Sequence, residues 1–430
     1  MTPLRVLLAT DAFPPVCGGS GWSTYELARQ LRLRGHAVHV IQPKPGTTPG
    51  LRTREHDGFE VVEAGSWAPR APFVRNYVKN ERLYPQFGRL LADYARALSI
   101  DVVHAQHVLT IPSAVHARAL GPWPVVATVR DYWPVCYWAD LIVDRDDARL
   151  CAACTASTMT RCVRPRAGAP WPLALPMIPY MRANLARKRH ALAGVDTIIA
   201  VSSVIGGDLR ARAPEIAGTP LEIVPNPVDL ARVRATAADT VVDVPAGPFA
   251  VYAGKLEPNK GIAFLVPALR RARLQVPLVV VGDGSMRDSL AREAADAGLD
   301  VRLAGWRTRD DTLAIMARAA FVVFPSFGPE SLSRVLLESG ALGVPAAAMN
   351  TGGTGDIVRH GETGLLSHDA AQLGDHVAQL ASDAPLRQRL GDGVRRHVEA
   401  TFDAGAVAAR VELIYRHVIA RRAATTGGRP

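Results

Sequence analysis

The chain has 430 residues, 48% hydrophobic and 21% charged, with a formal net charge of +10. That length exceeds one ordinary core and predicts two or three domains of globular composition. No run of 18 apolar residues exists, which excludes a transmembrane helix, and the positive charge points to an acidic partner: nucleic acid, anionic lipid or a phosphorylated small molecule.

The opening "LRVLLAT" (4–10) is a buried-type strand that reaches Asp11 too soon for a signal-peptide core. The expected location is therefore the cytoplasm, where thiols stay reduced. Further strands are predicted at "AVHVIQP" (37–43), "FEVVEA" (59–64), "DVVHAQ" (101–106), "PVVATV" (124–129), "DTIIAVS" (196–202) and "LEIVPN" (221–226). Helix-like stretches follow them, and near-continuous apolar strands of this kind mean parallel sheets covered on both faces.

Between the fifth and sixth of these strands lies an unusual stretch. Four of the five cysteines, Cys136, Cys151, Cys154 and Cys162, read C-x14-C-x2-C-x7-C. Four thiolates suit tetrahedral zinc or an iron–sulfur cluster, while disulfides or unliganded thiols remain the alternative. "DRDD" (144–147) mimics an Asp-x-Asp metal motif but sits in a polar insertion, so it reads as solvated acids. Residues 161–190 carry seven Arg/Lys and no Asp/Glu around the proline-broken apolar run "APWPLALPMIPYM" (169–181). With "WAPRAPFVRNYVKNERLYPQFGR" (67–89), this reads either as a patch that dips into an anionic membrane or as packing surface with solvated bases.

The seam "VPNPVDLARVRATAADTVVDVPAG" (224–247) precedes a second set of strands: "FAVYAG" (249–254), "PLVVVGDG" (277–284), "VRLAGW" (301–306), "FVVFPS" (321–326) and "VPAAAM" (344–349). Three loops follow strand ends. "YAGKLEPNKG" (252–261) offers Lys255 and Lys260 as point charges for a diphosphate, or as plain surface lysines. "FPSFGPESLSRVLLESGALGVP" (324–345) predicts a helix starting near Glu330, with Glu338 eight residues on and roughly 80° around the axis. Its first amides, on Ser331, Leu332 and Ser333, would face an acceptor-rich ligand. "NTGGTGDIVRHGETGLL" (350–366) adds glycines that allow close backbone approach. Ligands of open α/β sheets sit beyond the carboxyl ends of strands, so two such domains facing each other would make a cleft for two substrates.

The order of these motifs, from the Lys loop through "VVVGDG" and the E-x7-E pair to "GETGLL", resembles the retaining GT-B glycosyltransferases of glycosyltransferase family 4. "DAFPPVCGGSGWSTYELARQLRLRGHAVHVI" (11–41) is similar to that family's opening strand, glycine loop and first helix. The resemblance implies an α/β GT-B fold of two doubly wound Rossmann-like domains. An acceptor domain would span 1–227, with a Cys-rich basic insertion at 131–190. A donor domain would span 228–405, and a helix within 406–430 would pack back on the first domain ahead of a frayed tail.

It also implies that Lys255 and Lys260 hold the diphosphate of a nucleotide sugar, that Glu338 binds the ribose, and that Glu330, Ser331 and Leu332 line the transferred sugar. Gly18 and Gly19 would let the first loop close over the phosphates. His107 is taken as the active-site histidine ahead of His104, and Arg130, Asp131 and Tyr132 as the acceptor side. Retention would use attack on the face the diphosphate leaves, with no catalytic divalent metal. The acceptor would be a saccharide or a lipid-linked saccharide, with the protein peripheral on the inner face of the cell membrane if the basic patch docks there, and a metal at the four cysteines would order the acceptor side. A metal-stabilised nucleic-acid-binding protein and a GT-B nucleotide-sugar epimerase are the competing readings; the first reading expects no nucleic acid.

Overall fold

The computed structural model describes residues 2–70, 72–144 and 149–426. Sixteen strands fall within it: β1 (Arg5–Ala9), β2 (Ala37–Pro45), β3 (Gly50–His56), β4 (Phe59–Ser66), β5 (Val102–Ala105), β6 (Val125–Val129), β7 (Ile142–Asp144), β8 (Arg149–Leu150), β9 (Thr197–Ala200), β10 (Leu221–Ile223), β11 (Ala250–Ala253), β12 (Leu278–Val281), β13 (Val301–Gly305), β14 (Phe321–Phe324), β15 (Ala346–Met349) and β16 (Leu365–Ser367). The first sheet runs β10-β9-β6-β5-β1-β2-β4-β3 and the second β13-β12-β11-β14-β15-β16. The second is parallel throughout; in the first only β3 runs antiparallel, beside β4. β7 and β8 form a separate antiparallel hairpin.

The chain divides into two compact units. One comprises Met1–Ala139, Ala174–Pro227 and Ala404–Pro430, the other Asp140–Leu173 and Val228–Asp403. The central strands β5, β6, β11, β12 and β14 are buried at every residue. Helices covering both faces of a parallel sheet produce this, and it is why these strands read as near-continuous apolar runs.

The helix Ala404–Thr426 completes the first unit's core. Val407, Val411, Tyr415 and Val418 bury one stripe of it against Leu4, Val6, Leu8 and Tyr25, at spacings that fall on one helix face. Tyr415 Oη bonds His104 Nδ1 at 2.6 Å, and His104 Nε2 bonds Thr128 Oγ1 at 2.7 Å. His104 is thus a core residue with both ring nitrogens engaged. The stretch expected to fray is helical as far as Thr426, and residues 427–430 lie outside the described residues.

Glu412 fastens the same helix. It receives Arg34 Nε at 2.8 Å and Arg416 Nε at 2.9 Å, and His36 Nε2 lies 3.3 Å from the same carboxylate. Burial works to raise its pKa, but the hydrogen bonds from Arg416, Arg34 and His36 hold it down at about 2. The stabilisation is present above pH 4.5, the ordinary value for the unfolded chain, and is lost as pH falls toward 2. Glu412→Gln should therefore be less stable than the native chain at pH 7 and lose less stability between pH 4.5 and 2, as read by urea unfolding across that range.

Candidate active site

In the second unit, β11 ends in Ala253, and Gly254 and the exposed Lys255 follow it. The loop turns through a short 3-10 segment, Pro258–Lys260, into the helix Ile262–Ala272. Gly261 joins the two at φ +70°, and a Cβ there would lie 1.9 Å from the Pro325 carbonyl oxygen. Only glycine permits both that dihedral and that approach. The contact brings the Lys260 loop against the loop leaving β14. There Glu330 pairs with the Lys260 ammonium through Oε1, which also accepts from Ser326 Oγ at 2.7 Å.

The expected helix start at Glu330 is corrected. The helix covers Arg334–Ala341, capped by Ser333 Oγ accepting from Leu336 N–H at 3.4 Å, and Glu330, Ser331 and Leu332 lie in the irregular segment before it. Glu330 is instead held by backbone: its carbonyl accepts from Gly353 N–H at 2.7 Å, and a Cβ on Gly352 would sit 2.0 Å from the same oxygen. Glu330 and Glu338 are therefore not presented by one helix. Glu338 is buried and receives Arg309 Nε at 2.9 Å and Arg334 Nε at 3.0 Å. Burial works to raise its pKa, yet the charges and hydrogen bonds of Arg309 and Arg334 keep it below the usual range, so it is a carboxylate.

In the first unit a second polar cluster forms where the adjacent strands β1, β5 and β6 end. These ends supply Thr10 and Asp11, Gln106 and His107, and Arg130 to Tyr132. Arg130 is buried and donates to the Gln106 carbonyl and to Asn226 Oδ1, each at 3.0 Å, so it ties three loops together. Asp131 Oδ1 accepts from Trp133 N–H at 2.9 Å, and burial, first, raises its carboxyl. Tyr132 is buried. Lys188 lies under the Tyr137 ring at 5.6 Å. Burial lowers it to about 8, against the pull of Asp131, Cys136 and Glu81.

His107 Nδ1 accepts from Asp11 N–H at 3.2 Å, and burial, with Arg130 nearby, lowers its pKa to about 3. The ring is neutral. Gly18 precedes the helix Gly19–Leu33, and a Cβ at Gly18 would meet nothing within 4 Å, so the fold itself does not demand glycine there. Asp11, Lys188, Arg309 and Arg334 were not singled out from sequence. Asp11 was legible as a charged residue directly after an apolar strand.

The cysteine metal site is corrected too. Among the described residues no group of three or more His, Cys, Asp or Glu side chains is arranged to hold a metal ion. Cys136 belongs to the first unit, and Cys151, Cys154 and Cys162 to the second. Cys151 Sγ contacts the Ala153 carbonyl at 3.2 Å and Cys162 Sγ the Met159 carbonyl at 3.3 Å. Thr155 caps the helix Ala156–Ala167, which carries Cys162 away along the axis by roughly 9 Å. No cysteine cluster that would hold zinc or an iron–sulfur centre is shown among the described residues. In "DRDD", residues 145–147 lie outside the described residues. No helix among the described residues is long and apolar enough to cross a membrane.

The profile described as Glycosyltransferase Family 4 matches residues 17–232, and that described as Glycosyl transferases group 1 matches residues 247–383. A glycogen synthase of Mycobacterium tuberculosis (strain CDC 1551 / Oshkosh) is 26% identical over 96% of this chain and 94% of its own. The lipopolysaccharide core biosynthesis glycosyltransferase LpsE of Rhizobium meliloti (strain 1021) is 37% identical over 37% of this chain and 47% of its own. Among solved structures, sucrose-phosphate synthase from Thermosynechococcus elongatus superposes with a TM-score of 0.68 at 20% identity, covering 97% of this chain and all (100%) of that one. Anabaena Alr3699/HepE in complex with UDP-glucose superposes with a TM-score of 0.64 at 16% identity, covering 96% of this chain and 100% of that one. Both structures show the same fold.

Gly261→Ala should separate the Lys260 and Pro325 loops. Strain of roughly 1–3 kcal/mol is expected, read as a lowered midpoint in urea unfolding.

Proposed function

Because the chain belongs to glycosyltransferase family 4, and is a nucleotide-sugar-dependent retaining glycosyltransferase of the GT-B fold, we propose that it moves a sugar onto a saccharide or lipid-linked saccharide acceptor. The observation that carries the donor half is the Lys260–Glu330 pair, which joins the loops leaving adjacent strands β11 and β14. An arriving diphosphate competes with Glu330 for the Lys260 ammonium. Its binding releases the Glu330 carboxylate toward the hydroxyls of the transferred sugar.

In this reading Lys255 and Lys260 hold the diphosphate, Glu338 accepts from the ribose hydroxyls, and the Ser331 and Leu332 amides meet the sugar. Gly18 and Gly19 approach the phosphates, His107 faces the reacting sugar, and Arg130, Asp131 and Tyr132 shape the acceptor side. Negative charge grows on the leaving phosphate as the bond to the sugar breaks. Two ammonium groups there stabilise the transition state more than the ground state. The acceptor hydroxyl attacks from the same face, and the departing phosphate takes its proton.

The lipid-linked alternative for the acceptor is supported by exposed apolar side chains beside basic ones. In the first unit Trp67, Val74 and Tyr77 are exposed near Lys79 and Arg82. In the second, Leu173 is 83% exposed and Arg164 lies over the Trp171 ring at 5.7 Å. Such stretches suit an anionic membrane face.

Calorimetric titration with UDP, ADP and GDP, followed by radiolabel transfer from the matching sugar nucleotide to membrane extract, tests the proposal. Lys260→Ala should weaken nucleoside-diphosphate binding roughly 10- to 100-fold, the loss of one charge-assisted hydrogen bond. Unaltered affinity in that variant would falsify the placement of the diphosphate.

A further inference from the structure

Asp11 has no role in the donor reading, yet it is the most unusual carboxyl of the first unit. Its Oδ2 accepts from Leu109 N–H at 3.3 Å, while its Oδ1 is buried with no hydrogen-bond partner among the described residues. Beside it, His107 Nε2 is also buried and without a partner. The two residues touch through the Asp11 N–H to His107 Nδ1 contact of 3.2 Å. That contact fixes the tautomer. An amide N–H can only donate, so Nδ1 is an acceptor and the proton of the neutral ring sits on Nε2. The Thr10 hydroxyl, 3.0 Å from the same nitrogen, has the Ala12 carbonyl at 2.8 Å to take its own proton.

The strand ends of β1 and β5 therefore carry, on two residues in contact, one buried donor without a partner, His107 Nε2–H, and one buried acceptor without a partner, Asp11 Oδ1. Buried polar atoms in native proteins are almost always paired. A single hydroxyl group answers both, since it accepts with its lone pairs and donates its proton. We propose that Asp11 and His107 together hold one hydroxyl of a sugar substrate, His107 donating to it and Asp11 accepting from it. This rests on the glycosyl-transfer reading. The hydroxyl belongs to the transferred sugar or to the acceptor, and the same chemistry recognises either.

His107, held neutral with its proton on Nε2, is a fixed donor in this arrangement and not a general base. Gln106 Nε2 and Trp133 Nε1, buried and without partners among the described residues, are further donors from the ends of β5 and β6. The charged and titratable groups facing Asp11 are His107, Asp131 and Lys79. Burial, first, and the Asp131 charge raise its carboxyl to about 7, against the Leu109 amide and the Lys79 charge. The ionised form matches a hydroxyl proton; the protonated form sets a second donor against the His107 donor. The hydroxyl is therefore held more tightly as pH rises through about 7.

Asp11→Ala removes the acceptor, and Asp11→Asn preserves shape while abolishing the titration; circular dichroism reports whether each is folded. Nucleoside-diphosphate release from UDP-glucose, ADP-glucose and GDP-mannose is measured without acceptor, and radiolabel transfer from the same donors is measured to maltose and to membrane extract. If the hydroxyl is on the transferred sugar, Asp11→Ala lowers both rates about tenfold or more. If it is on the acceptor, donor release is kept and only transfer falls. In either case Asp11→Asn loses the rise in rate near pH 7. Folded variants with wild-type rates and wild-type pH profiles would overturn the assignment to Asp11 and leave the donor reading intact. A wild-type protein that turns over none of the three donors and transfers to neither acceptor overturns the glycosyl-transfer reading, and this proposal with it.

Discussion

Burial of a parallel sheet on both faces is the constraint from which the rest follows. A strand such as β5 or β11 has no exposed face on which a polar side chain can stand. Charged groups gather where a strand stops and its backbone turns out of the sheet, and a polar side chain within a strand, such as His104, has its hydrogen bonds made internally. Both polar clusters obey this. Asp11, His107 and Asp131 follow three neighbouring strands of one sheet, and Lys255, Lys260 and Glu330 follow two neighbouring strands of the other. Each cluster is shaped by contacts among loops: Gly261 against Pro325, Gly352 against Glu330, Arg130 to Gln106 and Asn226.

The same constraint explains what the sequence disclosed. Central strands are near-continuous apolar runs, and all of them were legible. The strands that escaped notice are marginal. β3 alternates Arg, Thr and Glu at the antiparallel edge of its sheet, β16 is a three-residue edge strand, and β7 and β8 belong to a short hairpin outside either sheet. Edge strands with one solvated side or a few residues carry little hydrophobic periodicity. The helix after β14 was placed too early because Glu330 is a good first-turn residue. What decides its conformation is Gly352, over twenty residues away, and no local pattern encodes that contact.

Spacing misled at the cysteines because it counts residues without fixing directions. Cys154 and Cys162 look close in sequence, but Cys154 precedes a capped helix and Cys162 lies in its second turn. The histidines show the opposite case. His104 and His107 are near-equivalent on paper, and only their partners distinguish them. His104 is locked between Tyr415 and Thr128, whereas His107 keeps one nitrogen uncommitted. Tyr415 lies 311 positions beyond His104, which is why sequence could not choose between the two.

That long reach bears on how the protein is made. Translation delivers residues from first to last, and domains commonly fold as they emerge. The first unit, although it begins the chain, lacks Val407, Val411, Tyr415 and Val418 until almost everything else has been synthesised. The second unit has its own sheet and core from residues already available by Asp403. The later-encoded unit therefore has all its residues before the earlier one, whose Leu4, Val6 and Leu8 pack against the helix that is made last.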